Sequence, residues 1–332
     1  MTAARAEKNL AKPLTAVTVT VAETDLPARL DALLARQMPW RSRTFFCRMI
    51  ENGEVLVNDR RARPGRRMAE HDVVVLDITQ YQQPYAPPAD IALEIIHEDA
   101  GVLVVNKEPG VVIHPTGVHL YDTLLNALHA RYADAAYKPR PVHRLDKETS
   151  GVLVLAKSEK ARTHLARQIE GRRITKAYLA LVHGVVAYRS GEIMLPLGDS
   201  RHSHIRLKQD VVDDGLPAHT RYEVVASAPC VPGFLDGLSL LDVRILTGRT
   251  HQIRVHMAAV GHPVVGDKLY GREGACQIGP VHVTHHLLHA RSFACIHPGT
   301  NEPVEFTAPL PRGFAACVEH VFGVRQAVHS TP

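Results

Sequence analysis

The chain has 332 residues, a length that allows two domains and a sizeable core. Hydrophobic residues make up 45% and charged residues 22%, the balance of an ordinary globular protein, and no apolar run approaches the roughly 20 residues that cross a bilayer. The formal net charge of +5 is too small to identify a partner by itself.

The amino terminus and the cysteines indicate where the protein works. Residues 1–14 show no apolar periodicity, and we expect a flexible amino terminus. The following LTAVTVTVA alternates threonine and valine, which favours a strand over the apolar core of a signal peptide. The five cysteines are odd in number and lack a C-x-x-C pair. We therefore expect a cytoplasmic protein with reduced cysteines.

Residues 15–80 are predicted to form a small α/β module. Leu30, Leu33 and Leu34 have helical spacing, and a second helical pattern covers residues 44–51. The stretch GEVLVNDRRARP is typical of a hairpin, and DVVVLDI of a closing strand. Three prolines then fall in the polar segment QYQQPYAPPAD, and we predict an interdomain linker at residues 81–90.

Basic residues are concentrated in two stretches of the chain. Nine arginines lie between positions 36 and 67 against three acidic residues, and six basic residues lie between positions 160 and 176 against one. The arginine side chain presents a planar fork that matches phosphate oxygens, which favours nucleic acid over membrane as the partner. The alternative is a solvated surface, and either stretch alone favours that reading.

Residues 91–325 are predicted to form a larger α+β domain, followed by a tail at residues 326–332. Five strand patterns occur in it: IALEII, GVLVVNK, GVLVLAK, ITKAYLALV and LSLLDVRIL. We expect one helix from a cap at Ser158 to about Glu170, and another from near Thr250 to Gly261. These features predict a mixed, largely antiparallel central sheet with flanking helices. A doubly wound nucleotide fold is disfavoured, because no glycine-rich phosphate motif opens a helix.

The stretch HRLDKETSG at residues 143–151 places dense charge at the start of an apolar strand. Asp146 in this stretch either caps a turn by accepting main-chain N–H bonds or is a carboxylate available for reaction. Taken alone, the structural role of this aspartate is favoured.

A second stretch, LTGRTHQIRVH at residues 246–256, changes that balance. Its basic residues are Arg249, His251, Arg254 and His256. A helix cap is expected at Thr250, so that Arg249 precedes the first helical turn and can reach across a cleft. An arginine beside a carboxylate keeps it ionised, as a nucleophile requires. The alternative is that these basic residues form only a phosphate-binding surface.

Lys176 and Tyr178 are expected on one face of a strand, because alternate residues of ITKAYLALV point the same way. A tyrosine so placed can stack on a base and move a proton. A core tyrosine with a hydrated hydroxyl is the commoner case when the residue is considered alone.

No metal or cofactor site is predicted. His285 and His289 form an i, i+4 pair in VHVTHHLLH, and His282 and His286 lie beside them, but no H-E-x-x-H and no cysteine pair accompanies them. The serine elbow G-x-S-x-G and the redox-cofactor fingerprints are missing from the sequence.

These stretches together resemble the RluA family of pseudouridine synthases. The resemblance rests on HRLDKETSG, KAYLALVHG and LTGRTHQIRVH in that order, with VLVVNKEPGVVIHP before them and LLHARSFACIHP after them. It covers residues from about 90 to 312. The first module is similar to the RNA-binding module of ribosomal protein S-four type, through ARLDALLARQ and MIENGEVLVN. Two departures are Glu70-His71-Asp72, where Gly-Asp is usual, and Glu108, where a proline is common.

The resemblance implies a pseudouridine synthase fold and a redox-neutral isomerase that needs no cofactor. Such an enzyme detaches uracil from ribose C1′ and reattaches it through C5. By this resemblance Asp146 is the nucleophile, adding to the ribose or to the base; Arg249 is its partner, and Tyr178 stacks on the base and assists removal of the C5 proton. Arg144 is expected to fill the space that the flipped uridine leaves. Further RNA contacts are expected from His143, Lys176, His251, Arg254, Arg41, Arg43 and Arg48.

The amino-terminal basic module favours 23S (large-subunit) ribosomal RNA as the partner, and we expect a monomer without a membrane partner. One alternative is a synthase that acts on tRNA or another RNA. A second is a non-catalytic RNA-binding or ribosome-assembly protein, and the presence of Asp146, Tyr178 and Arg249 argues against it. Phosphate contacts carry no base information, so the sequence does not indicate which uridine is modified.

Overall fold

The computed structural model describes residues 16–38, 42–77, 91–115, 122–201, 203, 205, 207–272 and 276–323. The chain divides into two compact units: residues 1–90 with 114–130 form the first, and residues 91–113 with 131–332 form the second. The predicted flexible amino terminus, the proline-rich linker, the tail and Arg41 lie outside the described residues.

The first unit contains a four-stranded antiparallel sheet. Its strands are β1 (Ala16–Thr20), β2 (Val55–Val57), β3 (Arg60–Arg61) and β4 (Val73–Asp77). They lie in the order β1-β4-β2-β3. The helices are α1 (Leu30–Gln37) and α2 (Arg43–Glu51), and α3 (Leu124–Arg131) follows later in the chain.

Apolar periodicity explains these elements. Leu30, Leu33 and Leu34 are fully buried on one side of α1 and pack with the buried valines of the sheet. The side chain of Ser42 caps α2 by accepting a 3.2 Å hydrogen bond from the amide of Phe45. The predicted two helices, hairpin and closing strand of this module are therefore confirmed.

The turn before β4 is where the sequence departs from the resemblance. His71 adopts a left-handed φ of 68°, a conformation that favours glycine. Asp72 steadies this turn, because its carboxylate accepts bonds from the amide of Ala69 at 2.9 Å and from the side chain of Asn58 at 2.7 Å. The turn thus forms without glycine.

The second unit is built on a ten-stranded sheet. The strands of this unit are β5 (Glu94–Glu98), β6 (Val102–Lys107), β7 (Arg140–Pro141), β8 (Ser150–Ala156), β9 (Thr175–His183), β10 (Ser190–Ile193), β11 (Leu197–Asp199), β12 (Gln209–Val211), β13 (Thr220–Ala228), β14 (Leu238–Ile245), β15 (Cys276–Ile278), β16 (Val281–Val283), β17 (Leu288–Ile296) and β18 (Pro303–Thr307). Its helices are α4 (Glu159–Glu170), α5 (Gln252–Ala259) and α6 (Arg312–Phe322).

The order in the large sheet is β10-β13-β14-β9-β17-β8-β6-β5, with β18 on β17 and β7 on β8. Among the described strands, only β17 and β8 pair in parallel. The β11–β12 and β15–β16 hairpins stand apart as two-stranded sheets. The prediction of a mixed, largely antiparallel sheet with flanking helices is confirmed.

The middle of the sheet is buried on both faces. Every residue of β6 and β8 is buried, as expected for their continuous apolar sequences. Leu165 of α4 packs in one cluster with Val152 and Val154, and Phe314 of α6 packs in another with Leu179. The elements at the ends of these strands are therefore held on a rigid support.

The two predicted helices of this unit are present, with one difference. Ser158 caps α4 as expected, its hydroxyl accepting from the amide of Ala161 at 3.1 Å. Gly261, with a φ of +87°, follows the end of α5 as expected. The cap predicted at Thr250 is wrong: the capping position is His251, in a left-handed conformation and without a side-chain cap.

No helix in the described part of the chain combines the length and hydropathy needed to cross a bilayer.

Candidate active site

A cleft of about 470 Å³ opens in the second unit. It is lined by the loop before β8, the first residues of β9, and the segment that joins β14 to α5. This cleft brings together eight of the residues predicted from the sequence: His143, Arg144, Asp146, Lys176, Tyr178, Arg249, His251 and Arg254.

A buried lysine binds the main chain of the loop that carries Asp146. The ammonium of Lys107, which is 1% exposed, donates to the carbonyl oxygens of Lys147 at 2.9 Å, Glu108 at 2.9 Å and Val111 at 3.0 Å. Burial lowers the pKa of Lys107 to about 7, although the charges of Asp146 and Glu108 oppose this shift. The lysine thus joins the NKEPG loop to the residue that follows Asp146.

Two histidines of VHVTHHLLH also contact this loop and the start of β8. His286 Nε2 lies 2.8 Å from the Thr149 hydroxyl, and His289 Nδ1 lies 2.9 Å from the Ser150 hydroxyl. Burial lowers the pKa of both rings to about 4, so both are neutral. Gly151 follows with a φ of +109°, where a β-carbon would lie 2.2 Å from the carbonyl oxygen of Ala290. The start of β8 is therefore fixed by side chains and by close main-chain contact.

Asp146 belongs to a line of three charged groups. Arg254 Nη1 donates to Asp146 Oδ2 at 3.0 Å, while its Nε and Nη2 donate to the two oxygens of Asp267 at 2.6 and 2.9 Å. Burial lowers the pKa of Arg254, but the bonds and charges of Asp267 and Asp146 outweigh burial and raise it overall. Burial raises the pKa of Asp267, and Arg254 outweighs that effect and lowers it. Arg254 is therefore a fixed cation beside Asp146.

The predicted pairing of Arg249 with Asp146 is wrong, because Arg254 takes that place. Arg249 Nε donates to the carbonyl oxygen of Pro217 at 3.1 Å, and its amide donates to Gln252 Oε1 at 3.0 Å. The physical reason is the start of α5: Arg254 lies in the first helical turn and points inward, whereas Arg249 precedes the turn. Arg249 still lines the cleft.

His251 completes the surroundings of the Asp146 carboxylate. Its Nε2 lies 3.9 Å from Asp146 Oδ2, and its Nδ1 lies 2.8 Å from the hydroxyl of Tyr270. Burial lowers the pKa of His251, although the charge of Asp146 opposes the shift, so the ring is held in its neutral form. The RNA contact predicted for His251 stays a prediction, and the ring lies in the cleft beside Asp146.

Lys176 and Tyr178 line the cleft from the same strand face, as predicted. Tyr178 is 6% exposed, and burial together with the charge of Asp146 raises the pKa of its hydroxyl. Burial lowers the pKa of the Lys176 ammonium. The cleft thus presents a neutral phenol ring beside the carboxylate.

His143 holds the loop to the sheet. Its Nε2 accepts a 3.1 Å bond from the amide of Val154, and its ring stacks on Phe293 with centroids 4.8 Å apart. Burial, then the charge of Lys176, lowers the pKa of His143 to about 3. A neutral, internally bonded ring does not support the RNA contact predicted for His143.

Of the other predicted arginines, three lie in the described part of the chain and are exposed: Arg43, Arg48 and Arg144. Arg144 lies on the exposed side of the cleft. In the first unit Arg48 is exposed on α2, whereas Arg43 is bound to Asp31, with Nη2 at 2.8 Å from Oδ2. Arg48 and Arg144 therefore offer a charge to a ligand more freely than Arg43 does.

A group of three potential metal ligands lies away from the cleft. His97, Asp99 and His297 place their ligand atoms within 4.8 Å of one another. However, His297 Nδ1 accepts the amide N–H of Thr300 at 3.1 Å, and its Nε2 lies 2.9 Å from Asp99 Oδ2. Asp99 Oδ1 accepts from the amides of Gly101 and Val102. His97 Nε2 lies 3.0 Å from Asp99 Oδ2, so both oxygens of Asp99 already bond to protein donors.

Sequence reasoning missed three residues that shape this site: Lys107, Asp267 and Tyr270. Lys107 lies in VLVVNKEPGVVIHP, and Asp267 and Tyr270 lie in GDKLYG at residues 266–271. A charged residue inside an otherwise apolar strand, as at Lys107, is the signal that was available. Nothing in the local pattern distinguishes Asp267 or Tyr270 from turn residues.

Comparisons with known proteins show the family of this chain. Residues 101–259 match the RNA pseudouridylate synthase family, and residues 28–74 match the S4 domain. The chain is 38% identical to ribosomal large subunit pseudouridine synthase D of Xanthomonas campestris, covering 85% of this chain and 86% of that protein. It is 35% identical to an uncharacterized RNA pseudouridine synthase of Bacillus subtilis, covering 92% and 98%. The structure of human RNA pseudouridylate synthase domain containing 1 is similar at a TM-score of 0.56 and 30% identity, covering 75% of this chain and 99% of that one.

Proposed function

This chain belongs to the RNA pseudouridylate synthase family, and from that premise we propose that it converts uridines of large-subunit ribosomal RNA to pseudouridine with Asp146 as the nucleophile. The observation that carries the assignment of Asp146 is its bond to the buried cation Arg254 inside the cleft. A carboxylate paired in this way keeps a fixed direction.

The proposed reaction is balanced without a further reactant. The bond between N1 of uracil and C1′ of the ribose breaks, the base turns, and a bond forms between C5 and C1′. The proton on C5 leaves and N1 gains a proton, so that no electron acceptor is consumed. Asp146 adds either to C1′ or to the base, and it is released at the end. Both additions need the ionised carboxylate that Arg254 supports.

The uridine has to leave its stack to reach Asp146, at a cost of a few kcal/mol. The cleft volume of about 470 Å³ suits one nucleotide rather than a duplex. We propose that the flipped base stacks on the ring of Tyr178. Because the pKa of its hydroxyl is raised, any help with the C5 proton comes through the oxygen of a neutral phenol. We propose that Arg144, which is exposed beside the cleft, fills the space that the flipped base leaves in the RNA.

Large-subunit ribosomal RNA is the proposed substrate because relatives at about 37–38% identity carry that activity in their names. The S4 domain supports a large structured RNA, since its exposed arginines offer charge to phosphates. A tRNA or another RNA is the alternative substrate. We further propose that the enzyme acts in the cytoplasm, where ribosomal RNA is modified, and as a monomer, because one chain supplies every group of the cleft described above.

The test is a map of pseudouridines in ribosomal and transfer RNA from cells that lack this gene. The map is repeated with wild-type, Asp146→Asn and Asp213→Asn copies restored; Asp213 is an exposed aspartate outside the cleft. Sites regained with wild type and Asp213→Asn, but not with Asp146→Asn, identify the substrate and support the nucleophile. Sites regained with Asp146→Asn contradict the assignment of Asp146. If sites are lost only in tRNA, the substrate is tRNA. If the deletion loses no site, the alternative of a non-catalytic RNA-binding protein is favoured.

A further inference from the structure

Tyr270 touches both groups that surround the Asp146 carboxylate. Its hydroxyl lies 2.8 Å from His251 Nδ1, and its ring lies under Arg254, with the guanidinium carbon 5.1 Å from the ring centroid. We propose that Tyr270 is a positioning residue for the nucleophile, acting through His251 and Arg254. This inference rests on the proposed role of Asp146.

The hydroxyl of Tyr270 selects the tautomer of His251. The main-chain N–H of Gln209 on β12 can only donate a hydrogen bond. Its nitrogen lies 2.8 Å from the Tyr270 hydroxyl, and the hydroxyl oxygen is therefore the acceptor of that bond. The single hydroxyl hydrogen is then free to be donated to His251 Nδ1. In a neutral imidazole the other nitrogen carries the proton, so that Nε2–H faces Asp146 Oδ2 at 3.9 Å.

The opposite tautomer would be unfavourable in two ways. The lone pair of Nε2 would face an ionised carboxylate, which repels it. The Tyr270 hydroxyl would also receive two donors and leave its own hydrogen without the acceptor that His251 Nδ1 provides. The hydrogen bonds around Tyr270 thus set the polarity of the group beside the nucleophile.

The ring of Tyr270 acts on Arg254. Asp146 and Asp267 bind the nitrogens of the guanidinium, and its carbon lies over the Tyr270 ring, 5.1 Å from the centroid. Arg254 is thereby held by two carboxylates and by a cation–π contact. A guanidinium free to rotate would break the single bond to Asp146 before the two bonds to Asp267.

The main chain makes Tyr270 a firm support. Asp267 Oδ1 accepts the amides of Leu269 at 2.9 Å and Tyr270 at 3.1 Å, so the carboxylate that anchors Arg254 also anchors the turn that carries the tyrosine. At Gly271 a β-carbon would lie 2.2 Å from the carbonyl oxygen of Asp267, which requires glycine there. The turn and the ion pair are one connected structure.

Two substitutions separate the roles of hydroxyl and ring. Tyr270→Phe removes the hydroxyl and keeps the ring, and Tyr270→Leu removes both. Tyr188→Phe is the matched control, because Tyr188 is 77% exposed and lies outside the cleft. We expect the single-turnover rate constant to fall about tenfold in Tyr270→Phe and about 100-fold in Tyr270→Leu, with the Kd for RNA unchanged. In the control variant Tyr188→Phe, we expect the wild-type rate constant and the wild-type Kd.

A measurement on the folded wild-type protein tests the tautomer without relying on activity. Nitrogen-15 NMR of histidine-labelled enzyme, with the His251 signals assigned through His251→Asn, reports which ring nitrogen carries the proton. We expect Nδ1 to be unprotonated in the wild type and to become partly protonated in Tyr270→Phe.

Each other outcome overturns the proposal. A protonated Nδ1 in the wild type removes the hydroxyl role, and an unchanged tautomer in Tyr270→Phe does the same. Wild-type rates in both variants remove the positioning role, and a rate loss matched by a weaker Kd makes Tyr270 an RNA contact instead. If Asp146→Asn turns over while the NMR result is as expected, the assignment of Asp146 as the nucleophile fails and the tautomer assignment stands.

Discussion

The guanidinium of Arg254 lies 3.0 Å from the carboxylate of Asp146 and is the arginine that pairs with it. Asp267, fully buried at its side chain, binds the other two nitrogens of Arg254. The carboxylate proposed as nucleophile therefore depends on a cation that is itself fixed by a second carboxylate.

The first prediction separates the two arginines of LTGRTHQIRVH. Arg254→Gln removes the cation beside Asp146, and we expect the single-turnover rate constant to fall by about 10²–10³, the usual effect of losing one preorganised charged donor. Arg249→Gln is the matched variant, and it should change that constant less than about tenfold, because Arg249 bonds to a main-chain oxygen. Quench measurements with saturating enzyme provide both constants. Equal losses in the two variants would contradict the pairing seen here.

The second prediction concerns Lys107 and pH. Its pKa is about 7 in the folded protein and about 10.4 in the unfolded chain, so the unfolded chain binds the extra proton between these values. The contribution of Lys107 to the free energy of unfolding is therefore fully present above about pH 10, and it is lost as the pH falls towards 7. Lys107→Met should flatten the rise in unfolding free energy between about pH 7 and pH 9, as measured by urea denaturation at several pH values. A slope equal to that of the wild type would show that Lys107 is charged throughout this range.

The third prediction concerns Gly151 at the start of β8. Gly151→Ala combines a left-handed backbone with a β-carbon 2.2 Å from the carbonyl oxygen of Ala290. Gly233→Ala is the control for the backbone alone, since Gly233 has a φ of +86° and open space around its β-carbon position. We expect about 1 kcal/mol of destabilisation in the control and at least about 3 kcal/mol at Gly151 by urea unfolding. Similar losses would mean that the strand moves to accept the methyl group.

The fourth prediction concerns the first unit. Arg48 and Arg60 are both exposed, and neutralising them as Arg48→Gln with Arg60→Gln should weaken RNA binding and reduce the slope of log K against log salt by about 1.4–1.8, if each releases one counterion. Filter binding at four salt concentrations measures the slope. Arg312→Gln, exposed at the start of α6, is the control and should leave it unchanged. A double variant with the wild-type slope would show that these arginines do not contact RNA.

Much of the fold was predictable because local patterns decide it. The continuous apolar runs GVLVVNK and GVLVLAK became the buried strands β6 and β8, and Ser158 and Gly261 bounded α4 and α5 as their capping chemistry predicts. Asp146 was a candidate because the charges of HRLDKETSG precede a buried strand, and the resemblance gave it the role of nucleophile. These features depend on residues within one or two turns of each other.

Only the tertiary structure decided which arginine binds Asp146. Arg249 and Arg254 lie five residues apart, and the left-handed residue His251 sets where α5 begins and hence which of them points inward. Asp267 and Tyr270 enter the site from a separate turn, and Lys107 from another strand. Contacts between such distant segments follow from how the sheet brings strand ends together, and no local spacing encodes them.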